Sequence, residues 1–158
     1  AAGGIADGRG MVAATVLGAE GVRIGTRFAA TLEASNHINH KQAIVDASDE
    51  GTVYNGLRWN YLLRSLRTQF VAGLYDLERS DASAEDVRAY IGVNSHEERT
   101  KLRKILGEIE GDFVNGEMYA GQISGLIRQI LPASEVVSRI VAEAETILRG
   151  LAQKVDGI

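Results

Sequence analysis

The spacing of apolar positions along the chain changes several times, and each change marks an element. Ala1 to Ile5 reads as the end of a buried strand. Asp7 is placed to cap a helix from about Gly8 to Leu17, with Met11, Val12, Thr15 and Val16 on its apolar side and Gly18 ending it. A short strand over Gly21 to Ile24 follows. A Gly25-Thr26 step then leads into a second helical piece, Arg27 to Leu32. Strand end, helix, strand, loop, helix is the order of a βαβ unit, whose strands are parallel neighbours.

From Ser35 onward helical spacing takes over. It predicts a helix over Lys41 to Ala47, a short extended piece at Gly51 to Tyr54, and a helix from Trp59 to about Leu77 carrying Leu62, Leu63, Leu66, Phe70, Val71 and Leu74. Ser83 with Asp86 and Ser95 with Glu98 have capping-box spacing, and the second opens a helix running to about Ile109. Glu97 and Lys101 are an i,i+4 surface pair. After a Gly111 to Gly116 loop, Ala120 to Leu131 reads as helical and stops at Pro132. A last helix, Glu135 to Gln153, carries Val137, Ile140, Val141, Ala144, Ile147, Leu148 and Leu151 on one stripe.

Two parallel strands cannot cover both faces of a sheet. The pattern therefore points to the end of a larger α/β protein, and the absence of an initiating Met agrees with that expectation. Composition excludes more than it identifies. With 45% hydrophobic and 24% charged residues the chain is an ordinary globular one. No run approaches the roughly 18 apolar residues of a membrane span, and the first residues lack the basic start of a signal peptide. There is no cysteine, so thiolate and disulfide chemistry are out, and a cytoplasmic setting is expected. A net charge of −4 without a dense Lys/Arg block makes nucleic acid a poor partner.

The 18 glycines are the unusual feature, and they cluster near the start. Gly3-Gly4 and Gly25-Thr26 each stand where a strand gives way to a helix. Glycine lets backbone N–H groups approach a ligand there, and a helix start adds partial positive charge. Two such loops side by side make an anion cup; the same spacing equally suits tight turns alone. Gly4, Gly8 and Gly10 do not have the dinucleotide-binding spacing, and no Gly-Lys-Ser/Thr follows to make a P-loop.

The segments Ala1-Ala2-Gly3-Gly4-Ile5-Ala6-Asp7-Gly8-Arg9-Gly10, Leu17-Gly18-Ala19-Glu20-Gly21-Val22 and Gly25-Thr26-Arg27-Phe28 resemble the nitronate monooxygenase (2-nitropropane dioxygenase) family and the related flavin-dependent enoyl-ACP reductases. His37 to Ile44, Gly111-Asp112 and Ala120 to Ile127 resemble later segments of the same family. The resemblance implies an α/β fold: the C-terminal portion of an FMN-binding (β/α)8 TIM barrel followed by a mostly helical region. Residues 1–34 would be the last βα units with the phosphate loops, and 35–158 the helical region packed on the barrel.

It also implies FMN as cofactor, with Ala2, Gly3, Gly4, Gly25 and Thr26 at its phosphate and Gly121 and Gln122 in a loop over the flavin edge. The small-molecule substrate would be an alkyl nitronate oxidised with dioxygen, or an enoyl thioester reduced at the expense of NAD(P)H. No metal is implied. Many family members have a small or Met-like residue before Ala120, where this chain has Tyr119. The family's catalytic base is a histidine on an earlier barrel strand, so no catalytic residue is expected here. The isolated chain would then be inactive, or a non-catalytic phosphate-binding or structural module whose open strand edge favours a homo-oligomer.

Other candidates have plainer readings. His37 and His40 have metal-ligand spacing but no evident third ligand, which points to structural roles. His96 is expected in solvent, Trp59, Tyr61 and Phe70 in the core, and Arg64 and Arg67 in water. Asp76, Glu78, Asp81, Glu85 and Asp86 read as a solvated acidic face.

Overall fold

A computed structural model of the chain describes residues 1–59 and 61–156, with Trp59, Val155 and Asp156 described by backbone alone. Helix α1 spans Gly8–Val16, and the Asp7 carboxylate accepts the Gly10 N–H as the cap predicts. The two expected strands meet in a single parallel bridge between Ala2 and Arg23, where the Arg23 N–H donates to the Ala1 carbonyl at 2.8 Å. Helix α2 is one turn, Thr26–Ala29. It is shorter than the expected Arg27 to Leu32 because Thr31 leaves to form a parallel bridge with Leu131.

Helix α3, Ile38–Asp46, begins earlier than its apolar pattern suggests. His37 is the reason: its Nδ1 accepts the Asn39 N–H at 3.1 Å and caps the helix. Strands β1, Thr52–Asn55, and β2, Leu63–Leu66, form an antiparallel pair with Thr52 opposite Leu66. This corrects the long helix expected from Trp59 to Leu77. Leu62, Leu63 and Leu66 suit either period, and a short apolar run does not discriminate. The partner decides. Leu66 N–H donates to the Met118 carbonyl at 2.8 Å and Ala120 N–H to the Arg64 carbonyl at 3.3 Å, so residues 118–120 run along β2. Thr68 then caps helix α4, Gln69–Arg79, its hydroxyl accepting the Val71 N–H.

The Ser83–Asp86 capping box opens helix α5, Ala84–Ile91, and Gly92 ends it at φ 77°. Helix α6, His96–Arg99, continues into a π-helical stretch over Thr100–Ile109. Ser95 caps it as expected, but Glu98 accepts the Asn94 N–H at 3.0 Å. The Glu97–Lys101 pair is present at 2.6 Å. The helix expected over Ala120 to Leu131 is replaced by a 3-10 turn, Gln122–Leu126, and extended chain. The Ala120 N–H and Leu131 carbonyl serve other segments, Arg64 and Leu32, so no helical ladder forms.

Helix α7, Ala133–Asp156, lies against α1. A Cβ on Gly8 would stand 2.5 Å from the Ala144 nitrogen, so a glycine is what lets the helices meet. The seam runs through Val136, Ile140 and Ala144, while Val137 and Val141 of the expected stripe are exposed.

Two apolar cores result. One joins α3 and β2 to Met118, Ala120, Ile123 and Ile127; the other joins α4 to α5 through Phe70, Val71, Leu74, Val87 and Ile91. Phe70 is core as expected, Tyr61 is exposed and stacks on His96 at 3.2 Å between centroids, and the Trp59 side chain lies outside the described residues. His96 is thus half-buried rather than in solvent. Glu78 also departs from expectation: it is buried and accepts the Gly56 and Arg58 N–H groups at 3.0 and 3.2 Å. Arg64 lies over the Tyr54 ring at 3.9 Å and Arg67 over Tyr75 at 5.7 Å.

Between these cores Arg99 and Glu117 form an ion pair in which both side chains are 0% exposed. Arg99 Nη2 and Nε donate to the two carboxylate oxygens at 2.8 and 3.2 Å. Nη2 also donates to Asn55 Oδ1, and Ser65 Oγ donates to Glu117 Oε1 at 2.9 Å. Removing the carboxylate leaves a buried guanidinium charge, so Glu117→Gln is expected to lower unfolding free energy by about 3–5 kcal/mol. Urea denaturation measures it; a loss below about 1 kcal/mol, the value of an exposed pair, would contradict this role.

A candidate anion cup at the strand ends

Gly3 and Gly4 adopt φ of 84° and 74° in succession, a conformation that costs an L-residue roughly 1–2 kcal/mol and glycine little. A Cβ added at Gly3, Gly4 or Gly25 would meet nothing within 4 Å. Backbone there borders open space, and a tight turn alone does not require that. Ala2, Gly3, Gly4, Gly25, Thr26 and Gly121 line one cleft of 330 Å³. The five residues expected at a cofactor phosphate thus line one cleft, joined by Gly121, one of the two expected over the flavin edge. Gln122 is exposed and outside the lining.

The two halves of the cup are tied by one bond across 95 residues: the Gly121 N–H donates to Thr26 Oγ1 at 2.8 Å. That N–H is spent on Thr26, so Gly121 closes the cup rather than donating into it. The Thr26 hydroxyl, having accepted there, keeps its proton for an acceptor in the cleft. Arg23 also lines the cleft. Sequence reasoning treated it only as a strand residue, yet it sits beside the Gly25 loop and brings the one formal charge. Its strand position just before Gly25 was the available signal. Backbone amides, a hydroxyl and a guanidinium can hold an oxyanion. No carboxylate or imidazole lines the cleft, so its lining offers groups suited to holding an anion and neither of those groups to move a proton.

Tyr119, two residues before Gly121, is held by its backbone. Its N–H donates to Glu108 Oε1 at 3.0 Å, and its carbonyl accepts from His40 Nε2 at 3.2 Å. A carbonyl only accepts, so His40 carries its proton on Nε2, and Nδ1 accepts from the Asn36 amide at 2.9 Å. Burial pushes His40 down to about 4, against the opposing pull of the Tyr119 carbonyl, with the Lys104 cation adding to the fall. Burial also pushes Glu108 up. The Tyr119 hydroxyl is buried; burial, then the Glu117 carboxylate, pushes it up to about 12 against the opposing pull of the Thr100 hydroxyl. The phenol does not line the cup. His37 and His40 have separate tasks, and no cluster of three or more His, Asp or Glu in metal-binding geometry occurs among the described residues. Nor is any described helix long and apolar enough to cross a membrane.

Parallel strand ends opening onto an anion cup, with a long, mostly helical continuation, define the closing portion of an α/β barrel. The family model described as nitronate monooxygenase matches residues 1–143, and the chain belongs to that family. It is 32% identical over 153 residues to the nitronate monooxygenase of Paraburkholderia phytofirmans, covering 97% of this chain and 39% of that protein. The Neurospora crassa nitronate monooxygenase is 34% identical over 146 residues, covering 92% and 37%. Among solved structures, FabK of Thermotoga maritima superimposes with a TM-score of 0.82 at 35% identity, over 97% of this chain and 46% of that one. Nitroalkane oxidase of Streptomyces ansochromogenes does so at 0.70 and 26%, over 95% and 40%. The fold is thus the C-terminal part of a TIM barrel with a mostly helical region after it. The chain spans 39% of the length of the first of these relatives.

Two outcomes are expected. The unfolded chain protonates His40 near its ordinary 6.5 while the folded chain holds it neutral to about 4, so folding stability falls as pH drops through that window. The decline attributable to His40 is on the order of 3 kcal/mol. His40→Gln, which keeps a donor for the Tyr119 carbonyl, should flatten the decline; denaturant unfolding at several pH values measures it, and an unchanged slope would refute it. Gly4→Ala should cost about 1–2 kcal/mol, read as a lower thermal midpoint.

Proposed function

We propose that this chain supplies the phosphate-binding end of the flavin site in an FMN-dependent oxidoreductase that oxidises alkyl nitronates with dioxygen. The observation carrying this reading is the cup itself: two βα loops with open Cβ directions at Gly3, Gly4 and Gly25, cross-tied by Thr26 and Gly121. In (β/α) barrels the loops after the last two strands build the common phosphate site. Membership of the nitronate monooxygenase family supplies the choice of reaction.

The Gly3-Gly4 and Gly25-Thr26 backbone would hold the phosphate, the Thr26 hydroxyl would donate its remaining proton to a phosphate oxygen, and the Arg23 guanidinium would offset the charge. FMN, when bound, supplies the redox chemistry, accepting electrons from the substrate. The share of this chain is position: a phosphate held at fixed strand ends fixes where the rest of the cofactor lies. The residue that takes a proton from substrate would come from an earlier barrel strand. A second reading keeps the same cup and makes the reaction an NAD(P)H-dependent reduction of enoyl thioesters; the Ala120-Gly121-Gln122 segment, whose middle residue closes on Thr26, supports it.

Expressed with the barrel strands that its family places before it, the chain should give a yellow protein that consumes dioxygen when an alkyl nitronate is added. Consumption of NAD(P)H with an enoyl thioester and indifference to nitronate would select the second reading. The 158-residue chain alone should purify colourless and consume no dioxygen; stoichiometric FMN retained by it would show that the cup suffices without the preceding strands.

A further inference from the structure

A second cavity, of 210 Å³, shares no lining residue with the cup. It is lined by Ala6, Arg27 of α2, Leu126, Ile127, Arg128, Gln129 and Leu131, and Val136, Arg139 and Ile140 of α7. Three of its lining residues are arginines, Arg27, Arg128 and Arg139, and none is Asp or Glu. Arg27 is 7% exposed. Its Nη2 is satisfied by the Ala30 and Gln129 carbonyls, both at 2.7 Å, but its Nε is buried with no hydrogen-bond partner among the described residues.

The neighbouring cations are poorly compensated. Arg139 meets Glu135 at 2.5 Å, but both side chains are largely exposed, where such a pair is screened and weak. Arg128 reaches only the Ala47 carbonyl, at 3.4 Å. Burial and the facing Arg139 charge together lower the Arg27 guanidinium from its usual range. A buried, partly unpartnered guanidinium beside a second cation is costly unless an anion completes it. The opposite wall is apolar: Ile127, Val136 and Ile140 are 1%, 3% and 7% exposed. The volume is below the roughly 300–1,000 Å³ of a drug-sized site.

We propose that this cavity is a binding site for a small oxyanion, of which inorganic phosphate or a short carboxylate is the size that fits, held by the guanidinium groups of Arg27, Arg128 and Arg139. A cofactor phosphate is a separate ligand, for the cup. The two sites share α2, in which Thr26 lines one and Arg27 the other.

The test is a titration of the ¹⁵N-labelled 158-residue chain with inorganic phosphate, and in parallel with acetate, at ionic strength held constant with chloride. The Arg27 Nε–Hε resonance is expected to move saturably with one or both anions. Arg139→Gln, at a largely exposed position, should weaken that response by roughly tenfold, the loss of one charge-assisted bond, without changing the unfolding temperature. Gly4→Ala, which alters only the cup, should leave it intact. The proposal is overturned if the Arg27 signal stays still for both anions, if chloride moves it equally, or if only Gly3, Gly4 and Thr26 respond. Whichever anion binds names the ligand source, and a cup that fails to take FMN while Arg27 still responds leaves this site standing.

Discussion

The buried pair between Arg99 and Glu117 is the contact on which the helical region is organised. Each carboxylate oxygen takes a bond from the guanidinium, Asn55 of β1 shares Nη2 and Ser65 of β2 donates to Glu117. Charges placed at zero exposure are expensive to desolvate, and the expense is recovered only when the remaining donors and acceptors are filled. Arg99, Glu117, Asn55 and Ser65 come from four separate segments, so the pair specifies which of them must adjoin, although Arg99 Nη1 has no partner among the described residues. It holds residues 117–120 against β2, and that strip leads directly to Gly121.

From there the path to the cup is short. Tyr119 is gripped at both ends of its backbone, its N–H by Glu108 and its carbonyl by His40. The following turn is thereby aimed so that Gly121 meets Thr26. The shape of the cup depends on contacts well away from it. Glycines at positive φ provide the surface, a threonine provides the cross-tie, and Arg23 provides the charge. The cup is thus made in the first residues and closed by the tail.

α2 has two faces with different chemistry. Thr26 lines the open cleft beside Gly3, Gly4 and Gly25, while Arg27 lines the other cavity. Adjacent residues on one helical turn cannot point the same way, which keeps the two cavities apart.

Much of the amino-terminal part was legible from local chemistry. Asp7 capping α1 and Ser83 with Asp86 starting α5 are each decided within four residues, whereas the glycines at the strand ends suited an anion cup and tight turns alike. The family, and with it the cofactor expected, was legible from the same glycine blocks. What tertiary structure alone decided was every segment whose backbone bonds go far along the chain. Leu63–Leu66 has a helix-compatible pattern but pairs with β1 and Met118; Ala120 to Leu131 has one too but gives its end groups to Arg64 and Leu32. Glu78 and His96 read as surface residues, yet each is drawn inward by a partner at least four positions away. Local pattern states what a residue can do, and long-range hydrogen bonds, which must be satisfied once buried, select among those options.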